Sequence, residues 1–351
     1  MKRSHGAFAA LFQLGGAFAL AACGGATPTP PQAGGGSSSL PSGPAESASV
    51  ASERPPSPEL AAGIKAFDAG NYADARKAFE SATRKNPGDY DASYNLGMAC
   101  EKLGDKSAAE AAYKSALATK PELEPAATEL SALYLDEGRV DEALMVGRAA
   151  LAKHPASGAL HENLAVALAS HNEQDSAIHE FEEALKAKPS EAMFQLTFAH
   201  WLNTWHARGA APHLDAAREL AKDNYGMIAS VGHEYRMAGE FESCVKTFDS
   251  AIQMKDGGEV RTERALCKLG MKDEKGAIDD LQGGVAAEPS YAPAHYYLGG
   301  RLALTKHFKD AAVEYAKYLD LAPSGSLAKL AIERMKAAQD AAKTGKSAKK
   351  K

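Results

Sequence analysis

Histidine stands next to glutamate at three places: His161-Glu162, His179-Glu180 and His233-Glu234. Such a pair can hydrolyse a peptide bond when a second histidine follows three residues after the glutamate. Two imidazoles then share a helix face around zinc, and the carboxylate activates water. None of the three pairs has that second histidine, and solvent-facing helix positions account for them. Cys100, Cys244 and Cys267 have no CxxC spacing and no His pair suited to zinc. Gly345-Lys346-Ser347 imitates the end of a phosphate loop, but the first glycine of that loop would fall at Asp340 and no strand precedes it. The acid pairs Glu182-Glu183 and Asp279-Asp280 read as solvated charge on helix faces. A Ser-His-Asp triad would need a sharp strand-to-helix elbow to present its nucleophile, and the pattern offers no strand. The expectation is no catalytic residue, no metal, no cofactor and no small-molecule substrate.

The elements behind these residues repeat. A small residue recurs at Gly63, Gly97, Ser131, Ala165, Ala199, Gly232, Ala265 and Gly299, at intervals of 33 or 34. A second small column runs through Ala75, Ala109, Ala143 and Ala177, resuming at Cys244, Ala277 and Ala311. Bulky residues follow it at Phe79, Tyr113, Phe181, Phe248, Leu281 and Tyr315, and a proline closes most units, as at Pro87, Pro121, Pro155 and Pro189. Inside a unit the apolar residues lie three, four and seven apart, which is helical spacing. Gly70-Asn71, Gly104-Asp105, Gly138-Arg139 and Gly239-Glu240 mark a turn between two helices. A lone hairpin cannot bury its apolar face, so neighbours must stack. Small residues such as Gly97 and Ala109 let the helices of one hairpin approach, with Tyr113 filling the gap to the next.

This pattern resembles the tetratricopeptide repeat over residues 56–325. The resemblance implies an all-α fold, a right-handed superhelical solenoid of about eight helical hairpins. A capping helix at 326–342 would present Leu327, Leu330, Ala331 and Met335 on one face, and a Lys-rich tail would occupy 343–351. Two units depart from the pattern. One, from Ala192 to Asn224, carries Trp201 and Trp205, with its second helix displaced behind a loop from Ala207 to Pro212. The other, near Gly258, has Arg264 and Lys268 where apolar residues are usual.

In such proteins the first helix of each hairpin lines a concave groove that binds peptides. Carried onto this chain, the exposed groove positions are Leu60, Ile64, Phe67, Tyr94, Met98, Leu135, Val166, Met193, His200, His233, Leu266 and Tyr296. That stripe is apolar, and exposed apolar patches mark interaction sites. Asn95 and Asn163 match one position of a carboxylate clamp, but Leu60, Thr128, Pro125 and Met193 stand where its basic residues should be. That activity does not carry over. Trp201 and Trp205 form an alternative surface.

The first 22 residues read as an export signal: Lys2 and Arg3, then an apolar run from Gly6 to Leu20. The run is too short and too interrupted by glycine to span a membrane. Its end, Leu20-Ala21-Ala22-Cys23, is similar to a bacterial lipobox. That resemblance implies acylation of Cys23, with palmitate among the chains, as the new first residue. Gly24, where an inner-membrane retention signal would place Asp, points by enteric sorting rules to the outer membrane, facing the periplasm. Residues 23–55, rich in Gly, Pro, Ser and Ala, cannot bury enough apolar surface to offset ordering entropy and read as a tether. As a coil it spans roughly 30 Å, and stretched it exceeds ~100 Å. Three thinly spread cysteines would remain after Cys23. They form no disulfide framework and read as small core residues, the pairing of Cys244 with Cys267 being open.

Net charge is −5, and losing Lys2 and Arg3 with the signal makes it −7. That excludes a broadly basic nucleic-acid binder and disfavours laying the whole body on anionic lipid. The expected function is a non-enzymatic scaffold in the bacterial cell envelope, anchored to the membrane through Cys23. It would bind a peptide or helix of another envelope protein, in a pilus or secretin, motility or outer-membrane assembly. The alternative is a module that binds peptidoglycan or recruits cell-wall enzymes.

Overall fold

A computed structural model describes residues 56–348, with side chains described through residue 344. The signal segment, Cys23 and the tether lie outside the described residues. Two compact units, 56–190 and 191–348, make up the described chain. The first contains α1 (Pro58–Asp68), α2 (Tyr72–Lys85), α3 (Tyr90–Lys102), α4 (Lys106–Thr119), α5 (Glu124–Asp136), α6 (Val140–Leu151), α7 (Gly158–Ser170) and α8 (Gln174–Ala187). The second contains α9 (Ala192–Thr204), α10 (Ala210–Leu220), α11 (Tyr225–Met237), α12 (Phe241–Met254), α13 (Gly258–Gly270), α14 (Glu274–Ala287), α15 (Ala292–Leu304), α16 (Phe308–Leu321) and α17 (Ala328–Ala348). Each unit stacks four antiparallel hairpins, and there is no strand among the described residues. The all-α helical repeat fold is therefore present.

Size matching holds each hairpin closed. A β-carbon added to Gly63 would stand 2.4 Å from the Phe79 ring, one on Gly97 2.4 Å from Tyr113, and one on Gly232 2.8 Å from Phe248. The bulky column of the second helix therefore lies on the small column of its own first helix. This corrects the expectation that Tyr113 fills the gap to the next hairpin. Where the first column holds Ser131, the ring position holds Gly147, and the added β-carbon there meets Leu164 at an ordinary 3.7 Å. Phe79, Tyr113, Phe181, Phe248, Leu281 and Tyr315 are all fully buried. Each contributes about 1.5–3 kcal/mol of apolar burial.

The turns follow the glycine marks. Gly70, Gly104, Gly138 and Gly239 adopt the left-handed conformation, with φ of 70–77°. The next amide then reaches back across the helix end, as Asn71 N does to the Ala66 carbonyl at 2.8 Å. Asp89, Asp105, Ser157, Asn224 and Asp273 cap the following helices with side-chain oxygens. Polar ties then cross to neighbouring hairpins. Arg76 donates to Asp105 at 2.9 Å, and Arg139 to both oxygens of Glu110 at 2.7 and 3.1 Å. Tyr134 donates to the same carboxylate at 3.0 Å. The Arg139 guanidinium beside Glu110, helped by Lys114, holds that carboxyl down at about 2.

The irregular repeats are explained by partners. Arg264 and Lys268 replace apolar residues because they share the buried carboxylate of Asp280: Arg264 Nε at 2.9 Å and Lys268 Nζ at 2.8 Å. Arg264 also reaches Asp249 at 2.6 Å. Asp280 is thus part of a buried network, a correction to its reading as solvated charge. Cys244 on α12 and Cys267 on α13 are both fully buried and form a disulfide, with Cα atoms 6.0 Å apart. The reading of these two as plain core residues is corrected: they join adjacent hairpins covalently. Cys100 is a buried free thiol, pushed up in pKa by that burial. The displaced second helix of the tryptophan-bearing unit is α10, entered through Gly209 at φ 108°. On α17 Ala331 is buried, with Leu330 and Met335 partly so, and Leu327 is buried just before its start, against the core of the last hairpin. Residues expected in a loose tail, Lys343 and Lys346, continue the helix to Ala348.

Candidate functional site

The twelve groove positions divide by burial. Ile64, Met98, Met193, His200, His233 and Leu266 are partly exposed on the first helices of their hairpins. Leu60 and Phe67 belong instead to the buried cluster of the first two hairpins, and Tyr296 to the cluster under α17. Tyr94, Leu135 and Val166 are also buried. For these six the expected exposure does not hold. On a helix one position of rotation separates a groove residue from a packing residue, and the repeat spacing alone does not resolve it.

In the second unit the histidines hold buried acid. His200 Nδ1 lies 2.8 Å from Glu234 Oε1, and Asn203 Nδ2 donates to Glu234 Oε2 at 2.9 Å. Burial pushes the Glu234 carboxyl up, but His200 and Asn203 outweigh it and hold it below the usual range. One helix further on, Arg236 Nε donates to Glu263 at 2.9 Å, with His233 Nδ1 at 3.7 Å from the same oxygen. Burial likewise pushes Glu263 up, and His233 with Arg236 brings it down to about 2. The faces shared by α9, α11 and α13 thus carry a polar ladder where an apolar stripe was expected.

Glu234, Asn203, Glu263 and Arg236 are residues that the spacing argument missed. The available signal was a register of 34 between His200 and Glu234, one repeat apart. Glu234 is buried, so its reading as a solvent-facing partner of His233 is corrected. His161 is also engaged, with Nδ1 2.5 Å from Glu180 and Nε2 2.9 Å from the Pro155 carbonyl. His295 repeats that arrangement with Glu314 at 2.7 Å and Pro289 at 3.0 Å. These contacts brace helices and present no nucleophile. Among the described residues no group of three His, Cys, Asp or Glu is placed to hold a metal ion.

Trp201 and Trp205 lie 5.6 Å apart between ring centroids. Trp201 is only 8% exposed, with its indole N–H buried and without an acceptor, while Trp205 is half-buried. Asn95 spends its amide on the Asp91 carbonyl of its own helix at 2.8 Å, and Asn163 ties α7 to α5 through the Thr128 carbonyl at 2.9 Å.

The tetratricopeptide repeat model matches residues 60–124 and 129–192. The chain is 34% identical over 89 residues to the BBSome complex member bbs-4 of Caenorhabditis elegans, covering 25% of this chain and 19% of that protein. Among solved structures it is similar to yeast Tom70, with a TM-score of 0.52 and 15% identity over 80% of this chain and 63% of that one. A tetratricopeptide repeat protein from Parabacteroides merdae matches with a TM-score of 0.46 and 16% identity, over 79% of this chain and 97% of that one. The chain spans about a fifth of the curated relative and under two thirds of Tom70. The repeat model matches twice between residues 60 and 192, so the chain carries tetratricopeptide repeats there, and the stacked hairpins of the second unit keep the same 33–34-residue period.

Proposed function

We propose that this chain is a lipid-tethered adaptor of the bacterial envelope that holds a peptide or helix of an envelope assembly against its first helices. The tetratricopeptide repeat fold is suited to protein–protein interaction, and that coarse function rests on the family. One observation carries the finer reading: Ile64, Met98, Met193 and Leu266 keep large apolar side chains partly exposed on the first helices of their hairpins. Such residues offer anchor points for an apolar partner face. The Cys244–Cys267 disulfide supports export, since such bonds persist in oxidising compartments. The Leu20-Ala21-Ala22-Cys23 sequence supports acylation, which needs two or more chains for firm anchoring. No step of the reading requires catalysis.

Photo-crosslinking residues installed at Met98 and at Leu266 should trap one discrete envelope protein in living cells. Val313, exposed on the second helix α16, serves as the control position. Adducts from Val313 and none from Met98 or Leu266 would overturn the groove reading. Adducts to glycan strands at Trp205 alone would replace it with cell-wall binding. The anchor is tested separately. Cys23→Ser should release the protein from membranes or leave its signal uncut, and a mature, membrane-bound variant would end the lipoprotein reading.

A further inference from the structure

The turn between the two helices of each hairpin places one residue in the left-handed region, at a strict register. Its members are Gly70, Gly104, Gly138, Asn172, His206, Gly239, Lys272 and Lys306. Glycine suits this conformation, and Asn tolerates it through local hydrogen bonding. Lysine gains nothing there from the backbone, yet Lys272 and Lys306 hold φ of 64° and 65°. Both are exposed, and neither has a carboxylate partner among the described residues. A strained residue retained at a turn is a reason to look for a role outside the fold.

Their neighbours supply the second observation. Met271, directly before Lys272, is 45% exposed, and Leu304, two residues before Lys306, is 66% exposed. Met237, two residues before Gly239, is 44% exposed. The first helices α11, α13 and α15 touch in succession, so these turns line one edge of the second unit. Lys275 and Lys309 follow within the next helical turn, both exposed. The nearby acids are partly occupied. Asp273 accepts from Gly276 N at 2.9 Å, and Glu274 faces Arg301 at 3.7 Å. Asp310, next to Lys309 in the chain, is exposed as well, and Glu240 and Glu242 confine the cationic character to the last two turns. Protruding apolar tips ringed by lysines match a bilayer interface, where the tips enter the acyl boundary and the ammonium groups meet anionic headgroups.

We propose that the edge formed by the α13–α14 and α15–α16 turns docks on an anionic phospholipid surface through Met271, Leu304, Lys272 and Lys306. The chain's net negative charge opposes laying the whole body on such a surface but leaves this one edge cationic. The docking does not rest on the groove reading and engages only the C-terminal ends of the first helices α13 and α15.

The test uses the chain carrying Cys23→Ser and produced without residues 1–22, so that neither an acyl anchor nor the apolar run Gly6–Leu20 contributes. It is cosedimented with vesicles of 30% phosphatidylglycerol in phosphatidylcholine and with phosphatidylcholine alone. Lys272→Gly with Lys306→Gly relaxes both turns. It should raise the thermal midpoint while weakening binding to the anionic vesicles on the order of tenfold. Met271→Ser with Leu304→Ser should weaken binding to both vesicle types. Amide exchange on anionic vesicles should slow at residues 268–276 and 302–309. Unchanged affinity in the glycine variant, or protection confined to other segments, overturns the docking. A dimer that the Met271→Ser and Leu304→Ser chain loses, without any change in vesicle binding, would assign the edge to a second copy instead.

Discussion

A β-carbon on Gly97 would lie 2.4 Å from Cε1 of Tyr113, inside any real carbon–carbon contact. In the next hairpin Gly147 stands at the ring position and has room, with Leu164 at 3.7 Å. Gly97→Ala must therefore move a fully buried ring and should cost about 1–3 kcal/mol by overpacking. Gly147→Ala should instead gain about 0.5–1 kcal/mol through helix propensity. Urea unfolding of the two variants followed by circular dichroism checks the opposite signs.

Asp280 neutralises two cations at once. Asp280→Ala should cost about 3 kcal/mol or more, because Lys268 is left partly buried and uncompensated and Arg264 keeps only the more exposed Asp249. Replacing Arg264, Lys268 and Asp280 together with apolar residues of similar volume should recover most of that loss. If the single variant and the triple variant unfold at the same urea concentration, the network does not constrain this unit.

Acid should loosen both units through known carboxylates. Glu110 and Glu263 titrate at about 2 in the folded chain, against ~4.3 for an unperturbed glutamate. As pH falls, the unfolded chain takes up these protons first. The stabilisation is therefore complete above about pH 4.5 and lost as pH approaches about 2. Thermal midpoints measured from pH 6 to pH 2.5 should fall over that window. Glu110→Gln or Glu263→Gln should start lower and flatten the fall in its own unit.

Reduction should weaken the second unit selectively. The Cys244–Cys267 bond closes a loop with a sequence separation of 23, for which chain entropy gives about 3 kcal/mol. Dithiothreitol, or Cys244→Ala with Cys267→Ala, should speed proteolysis between α11 and α14 and leave the first unit's fragments unchanged. Equal cleavage of oxidised and reduced chain would show that the bond carries no stability.

Much of this architecture was legible along the chain. Gly63 with Phe79, Gly97 with Tyr113 and Gly232 with Phe248 each sit 16 residues apart, and the period of 33–34 made the hairpins visible. Helical periodicity and turn glycines are local properties, so a single sequence displays them. The turn residue was legible at Gly70, Gly104, Gly138 and Gly239, and not at Asn172, His206, Lys272 and Lys306, where side chains occupy a conformation that glycine usually signals.

What only the tertiary structure decided is which face each residue takes and which distant group it meets. Tyr94 and Tyr296 were placed in a groove by register and proved buried, because a rotation of one residue about the helix axis exchanges groove for core. Asp280 and Glu234 looked like solvated charge in the sequence. Their partners, Arg264 and His200, lie 16 and 34 residues away on other helices. A charge is stable inside only when its counter-charge arrives, and that meeting depends on stacked neighbours. Helix formation is written residue by residue, whereas pairing and burial belong to the packed chain.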